Sequence, residues 1–316
     1  MIKMNMKISI IRHYRIIPIV LLLCCFLSGC SGEKLPDEPT QRDEMPETHY
    51  EIPEFLENVC NEEEAYHGND VMLDLTHKEE GYFAASAYAE KRLKIQVIKD
   101  DLTYNYNLDK EGRITYFPLQ SGDGTYVIRV MENTVENRYA EKFRVEEEVV
   151  LKDEFQPFLH ASEYVSYTEE SECVQKAHEL ALGAADANDF ITAIYKFICK
   201  TVRYDRKKAE TVPSGYVPVP DETMNTGMGI CFDYASLAAS MLRSQGIPTK
   251  LIFGYVAPDD LYHAWNMVYT EESGWITVEF KVSEESWNRV DLTFSANGSD
   301  AKFIGNGENY ADVYEY

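Results

Sequence analysis

The 316-residue sequence is short of cations, of paired cysteines and of long apolar runs, and each shortage argues against a class of protein. It has 30 Lys+Arg against 54 Asp+Glu and a formal net charge of -24, whereas binding to nucleic-acid phosphates needs a surplus of cations. Its seven cysteines include no C-x-x-C pair, which argues against zinc ribbons and thioredoxin-like redox sites. Phosphate-loop, serine-hydrolase and zincin motifs are also missing. What remains is an acidic globular protein without a nucleic-acid partner.

The N-terminus carries the pattern of an export signal. Four cations precede an apolar run at residues 16–27, whose 12 residues are fewer than the roughly 20 needed to span a bilayer as a helix. This pattern predicts a signal peptide at residues 1–29. The segment Leu27-Ser28-Gly29-Cys30 resembles the lipobox of bacterial lipoproteins, which implies that Cys30 is lipidated and becomes the first mature residue. We therefore expect an extracytoplasmic protein anchored to the cell membrane; an ordinary signal peptide with an incidental cysteine is the alternative.

Composition divides the mature chain further. Residues 31–65 hold 12 Asp+Glu, two Lys+Arg and four prolines, a composition that buries too little apolar surface to become ordered. Residues 30–65 are therefore predicted to form an acidic disordered tether. Within residues 66–152, turn clusters rich in Gly and Asp separate runs rich in β-branched and aromatic residues. The runs, which predict a small β-sandwich-like domain, are 93–98, 103–108 and 125–131.

Residues 153–316 change from helical to strand-like signals. Helices are predicted at 169–182 and 188–202, and a third opens near Cys231 and ends at Gly246-Ile247-Pro248. Cys173 and Cys199 fall within the first two helices and are interpreted as small buried side chains. Strand-like runs follow the third helix at 250–256, 263–270, 275–280 and 287–294. This order predicts an α+β domain.

A cysteine and a histidine in this domain could supply a nucleophile and its base. Gly227 and Gly229 precede Cys231, which lies at a predicted helix start, where thiol pKa values fall from about 8.5 to about 3.5–7.5. His263 begins a strand 32 residues later, and imidazole titrates in the range needed to take and return the thiol proton. The imidazole then needs an acceptor on its far nitrogen, for which Asp291 is the candidate.

At these residues the chain resembles the transglutaminase-like family. The similarity spans roughly residues 204–316, in the order Cys, His, Asp, and its motifs are Gly229-x-Cys231-x-x-x-Ala235, Gly246-Ile247-Pro248, Gly254-Tyr255, His263-Ala264-Trp265 and the strand with Asp291. It implies an α+β fold with a papain-like transglutaminase core of helices and an antiparallel sheet. The small β-sandwich-like domain predicted from the strand signals precedes this core. The resemblance also implies that Cys231 is the nucleophile, His263 the general base and acid, and Asp291 the orienting acid, with the Cys231 N–H as one oxyanion donor. Animal members require calcium, but the sequence has no EF-hand-like spacing, so we predict no metal and no cofactor.

The orienting acid has a second candidate. Asp291-Leu292-Thr293 departs from the Asp-Pro-Thr that is usual in the family. Glu279 lies 16 residues after His263, a separation that fits a simple hairpin, whereas Asp291 lies 28 residues after it. We favour Asp291 because residues 293–294 continue the family pattern, with Glu279 as the alternative.

A cluster of cations precedes the loop that leads to Cys231. It holds four of the 12 cations found from residue 153 onward, and it is either an anion-contacting rim or a set of cations attracted to the C-terminus of a helix. The second interpretation is favoured. The cluster consists of Arg203, Arg206, Lys207 and Lys208.

The sequence thus predicts acyl transfer through a Cys231 thioester, with an amide or a peptide as donor and a peptide or protein substrate outside the cytoplasm. Water as acceptor gives a protease or amidase, which is slightly favoured because water is always present. A lysine amine as acceptor gives a protein-crosslinking transglutaminase. A different class of function also stays open, namely a non-catalytic module that binds wall peptide or a protein partner.

Overall fold

The computed structural model describes residues 49–256, 261–282, 290–296, 304–305 and 310–316. The predicted signal peptide, Cys30 and most of the predicted tether lie outside these residues. The described residues belong to one compact unit. No helix among them is long and apolar enough to cross a membrane.

Residues 66–149 form two four-stranded antiparallel sheets, which we call the β region. One sheet has the strand order β1-β2-β3-β6 and the other β5-β4-β7-β8. Alternate residues of β4 are buried, as the alternating sequence pattern requires of a half-buried strand. The strands are β1 Tyr66–Gly68, β2 Val71–Asp74, β3 Tyr82–Ala87, β4 Leu93–Lys99, β5 Leu102–Leu108, β6 Thr115–Pro118, β7 Gly124–Asn133 and β8 Tyr139–Val149.

Five α-helices follow the β region among the described residues. The first two agree closely with the predicted segments, and α2 begins after Asp186, whose side chain accepts a hydrogen bond from the N–H of Asp189 and so caps the helix. The helices are α1 Glu172–Leu182, α2 Ala187–Thr201, α3 Arg206–Thr211, α4 Pro220–Thr226 and α5 Cys231–Arg243. Two short parallel strands, β9 Arg203–Tyr204 and β10 Met228–Gly229, join the chain around α3 and α4.

A third sheet covers α5. Its strand order is β15-β14-β13-β12-β11-β16. Asn266 fixes the helix on the sheet, because its fully buried amide donates to the Ala235 carbonyl of α5 at 3.0 Å and accepts from the Tyr195 hydroxyl of α2 at 3.1 Å. The strands are β11 Thr249–Val256, β12 Leu261–Thr270, β13 Gly274–Val282, β14 Val290–Ala296, β15 Ile304–Gly305 and β16 Tyr310–Glu315. A sheet-rich region is followed by helices and by a sheet that is antiparallel except for the parallel pair β14–β15, which confirms the predicted α+β class.

The predicted tether needs a correction over residues 49–65. This segment has no helix or strand, yet it packs on the folded core. The Tyr50 ring stacks on Phe190 with centroids 5.2 Å apart, and its hydroxyl donates to the Gln245 carbonyl at 2.7 Å. Ile52 and Phe55 also pack against the core. A few apolar side chains with partners on the domain therefore outweigh the acidic composition that predicted disorder.

Candidate active site

The chain before Cys231 makes a tight turn that only glycine permits. Gly227 ends α4 with φ at 61°, in the left-handed region, and a Cβ there would lie 2.9 Å from the Thr201 carbonyl oxygen. At Gly229 a Cβ would lie 2.8 Å from the Cβ of Asp233. The two glycines thus allow Asp233 to approach the loop, and Cys231 becomes the first residue of α5.

Asp233 caps the helix that begins at Cys231. Its carboxylate is fully buried, and Oδ2 accepts a hydrogen bond from the Ile230 N–H at 2.7 Å. Lys208 places its Nζ 2.8 Å from the same oxygen, and the Tyr216 hydroxyl donates to Oδ1 at 2.6 Å. A buried carboxylate is tolerated only when it is paired and hydrogen-bonded. These contacts therefore stabilise the helix start where Cys231 lies.

The structure brings the predicted nucleophile and base together. Cys231 is partly exposed at the start of α5, and β12 carries His263 to a hydrogen bond with its sulfur. Burial opposes ionisation of the Cys231 thiol, but the hydrogen bond and charge of His263 outweigh it, helped by the N–H groups of Ala264 and Phe232, so the pKa is lowered. A thiol in this setting can ionise and act as a nucleophile.

Tyrosine side chains lie around the Cys231 sulfur. The pKa of Tyr204 is raised to about 12, mainly by burial and then by the negative charge of Cys231 and Asp233. Burial, neighbouring tyrosines and Cys231 also raise the pKa of Tyr262, whose side chain is 51% exposed. Both tyrosines are therefore uncharged near neutral pH.

The strand order separates the two candidates for the orienting acid. Strand β13 lies between β12, which carries His263, and β14, which carries Asp291. Glu279 lies on β13 directly after Val278, which pairs with Asn266 of β12. Asp291 lies on β14, where it pairs with Lys281 of β13 and has β13 between it and β12. Neighbouring strands are about 4.8 Å apart, so β14 runs about 10 Å from β12. The backbone therefore places the alternative, Glu279, on the strand next to His263 and the favoured Asp291 one strand further away.

Lys208 has a role that the sequence interpretation missed. We considered it part of an anion-contacting rim or a cation near a helix C-terminus, but its ammonium pairs with buried Asp233 and donates to the Tyr216 hydroxyl at 2.7 Å. The signal was available, because Asp233 stands three residues after the N-cap, where an acid commonly accepts the N-cap N–H. Arg203 lies on β9, and Arg206 and Lys207 on α3, beyond the end of α2.

The described residues contain no group of three or more His, Cys, Asp or Glu side chains that could hold a metal ion. Cys173 is fully buried, and burial raises the pKa of its thiol far above the ordinary value. Cys199 is partly buried and packs against the core. Within the described part of the chain, the chemistry of a reactive thiol is therefore concentrated at Cys231.

A family model matches the part of the chain that contains Cys231 and His263. Residues 174–280 match the model of the transglutaminase-like superfamily, a range that includes Cys231, His263 and Glu279 and ends before Asp291. A search of curated proteins returns no relative of the chain. The match confirms the resemblance for these residues.

Three solved structures are similar to parts of the chain. A TGase is 19% identical over 36% of this chain and 33% of its own, with a TM-score of 0.31. A protein from Cytophaga hutchinsonii, described as a candidate cysteine protease, is 14% identical over 73% of this chain and 98% of its own, with a TM-score of 0.35. Red sea bream transglutaminase is 11% identical over 64% of this chain and 48% of its own, with a TM-score of 0.27. This chain thus spans about a third of the first of these structures.

We predict that His263→Ala raises the pKa of the Cys231 thiol, because burial then acts without the opposing hydrogen bond and charge. The rate of Cys231 alkylation by iodoacetamide, followed by mass spectrometry as a function of pH, measures this pKa. In the unsubstituted protein the midpoint is expected below that of an ordinary thiol at about 8.5. Cys60 provides an internal control, since burial and nearby carboxylates raise its pKa to about 11. An unchanged Cys231 midpoint in His263→Ala would contradict the pairing.

Proposed function

We propose that this chain, whose residues 174–280 are transglutaminase-like, is an extracytoplasmic lipoprotein that transfers acyl groups through a thioester on Cys231. The observation that carries the proposal is the hydrogen bond between Cys231 and His263 at the start of a helix, together with the lowered thiol pKa. A nucleophile within hydrogen-bond reach of its base is the arrangement that covalent acyl transfer requires.

The reaction follows from this pair. The Cys231 thiol gives its proton to His263, and the sulfur attacks the carbonyl carbon of an amide or peptide. The tetrahedral adduct collapses when its carbon–nitrogen bond breaks, and the amine leaves with the proton from His263. An acceptor then attacks the thioester carbonyl, losing a proton to His263, and the Cys231 sulfur departs and recovers that proton. The Cys231 N–H is one oxyanion donor in this scheme.

The orienting acid in the proposal is Glu279, with Asp291 as the alternative. The order of the strands supports Glu279, because β13 is the direct neighbour of β12. The family match supports it as well, because it includes residue 279 and ends at residue 280. The carboxylate would hold the His263 ring in the tautomer and orientation that proton transfer needs.

Matched isosteric variants test the orienting acid. We predict that Glu279→Gln lowers kcat for amide cleavage by at least about 100-fold, because His263 loses its charged acceptor. Asp291→Asn should stay within about threefold, because β14 is not the direct neighbour of β12 and the substitution would remove no contact with His263. The opposite result, an inactive Asp291→Asn and an active Glu279→Gln, would assign the role to Asp291.

The acceptor determines whether the activity is hydrolysis or crosslinking. We favour hydrolysis, because nothing described here forms a site for an amine. In the presence of a labelled primary amine and an acyl-donor peptide, we predict that the free acid is the main product and that Cys231→Ala abolishes it. Efficient amine incorporation in competition with water would make the protein a crosslinking transglutaminase. No acyl adduct on Cys231, with thiol reactivity no faster than that of an ordinary cysteine, would favour the non-catalytic binding module.

The membrane anchor is a separate part of the proposal. Its support is the cationic segment, the apolar run and the Leu27-Ser28-Gly29-Cys30 sequence. We predict that a labelled fatty acid fed to producing cells is incorporated into the protein and that Cys30→Ala removes the label. Cys60→Ala serves as the matched control and should keep the label. An unlabelled protein, or label retained in Cys30→Ala, would contradict the anchor.

A further inference from the structure

Two series of contacts connect strand β5 of the β region to the first turn of α5. Tyr106 and Asn107 are consecutive residues of this strand, so their side chains lie on opposite faces of the sheet. Tyr106 is buried, whereas Asn107 lies on the solvent side. Each leads by contacts to one of the two residues that follow Cys231.

The route from Asn107 passes through the segment between α3 and α4, residues 212–219, which we call the strap. Asn107 donates from its side-chain amide to the Gly215 carbonyl at 3.1 Å and accepts from the Arg92 guanidinium at 2.9 Å. Gly215 has φ at 83°, and a Cβ there would lie 2.7 Å from Arg92. The strap therefore lies against the β region at a position that requires glycine.

The next residue of the strap holds the catalytic helix. The Tyr216 hydroxyl donates to Asp233 at 2.6 Å, and Asp233 accepts from the Ile230 N–H at 2.7 Å. Asp233 is fully buried, so the loss of one of its donors is costly. Hydrogen bonds on either side of the Gly215–Tyr216 peptide thus connect Arg92 and Asn107 on the β region to Ile230, the residue before Cys231.

The second route is aromatic and runs beneath the helix. The Tyr106 ring lies 5.3 Å from that of Tyr164, which lies 5.4 Å from Phe232. The Tyr164 carbonyl also accepts from the Ser236 hydroxyl of α5 at 2.6 Å. Phe232 directly follows Cys231, so this second series of contacts connects the β region to α5 through Tyr164.

We infer that the β region is a positioning element of the active site, with Asn107 and Tyr216 acting through Asp233 to keep Cys231 in hydrogen-bonding register with His263. This inference rests on the proposed function, because it concerns the geometry of the same thiol. Asn107 and Tyr216 are positioning residues, since they act on Cys231 through the cap of α5. The β region is then required for a reactive thiol and not only for spacing.

A double-mutant cycle on Cys231 alkylation tests the inference. We expect Tyr216→Phe, which keeps the ring but removes the hydroxyl, to slow alkylation of Cys231 at neutral pH by about three- to tenfold, the value of one net hydrogen bond. The same variant should raise the pH midpoint of the reaction. Asn107→Ala should slow it by about two- to fivefold. Because both act through one series of contacts, the double variant should react no more slowly than Tyr216→Phe alone.

Asn105→Ala is the matched control for Asn107→Ala. Asn105 lies two residues earlier on the same face of β5, and its side chain bonds to Gln96 rather than to the strap. It should keep the rate of the unsubstituted protein. Buried Cys173 reports unfolding in the same mass spectra and should stay unreactive in every variant.

Several outcomes would overturn the inference. These are unchanged Cys231 rates in both single variants, strictly additive effects, an equal effect of Asn105→Ala, or labelling of Cys173 that shows general unfolding. An ordinary Cys231 reactivity in the unsubstituted protein is a different failure, because it would contradict the proposed function itself. A fast-reacting Cys231 that is insensitive to the strap would leave that function standing and reject the role of the β region.

Discussion

Helix α5 is buried on all sides, and the arrangement of the other elements depends on how its charges are compensated. Every residue from Asp233 to Arg243 is buried, so the helix has no solvent-facing stripe. The buried Asp233 lies in its first turn and the buried Arg243 in its last turn, where the helix dipole favours a negative and a positive charge, respectively. Arg243 donates at 2.8 Å to three main-chain carbonyls, those of Thr249, His160 and Tyr316. One guanidinium on α5 therefore joins the helix to the third sheet and to the segment that precedes α1.

The sequence alone was sufficient to predict the helices whose position depends on neighbouring residues. The apolar stripe of α2 gave its position, and the glycines before Cys231 gave the start of α5, because periodicity and turn geometry depend on neighbouring residues. The prediction of a disordered tether was wrong over residues 49–65. An acidic composition averaged over the segment does not reveal that Tyr50 and its apolar neighbours pack on the folded core. Non-local pairing was the main difficulty. The choice between Glu279 and Asp291 depends on strand order, and the partner of Lys208 depends on how α3 meets α5, neither of which is fixed by spacing along the chain.

The site stabilises two acidic groups within three residues. At Cys231, helix geometry, His263 and nearby N–H groups favour negative charge on the sulfur. At Asp233, a carboxylate that would disfavour that charge is paired with the Lys208 ammonium and accepts a hydrogen bond from the Tyr216 hydroxyl. Without this compensation the two anions would repel each other across a single turn of helix. One member of the cationic cluster, Lys208, therefore has a structural role at the site, and recognition of an anionic substrate is not needed to explain it.

The pairing of β16 with β11 has a consequence for the order in which the protein acquires its native structure. Tyr316 exchanges main-chain hydrogen bonds with Leu251 at 2.8 Å and accepts a third from Arg243. A growing chain lacks these partners until residue 316 has been synthesised, although α5 and His263 are made more than fifty residues earlier. Contacts that are distant in sequence form late and slowly. A nascent chain therefore completes this edge of the third sheet, and the third acceptor of the Arg243 guanidinium, only after α5 and β12 have been synthesised.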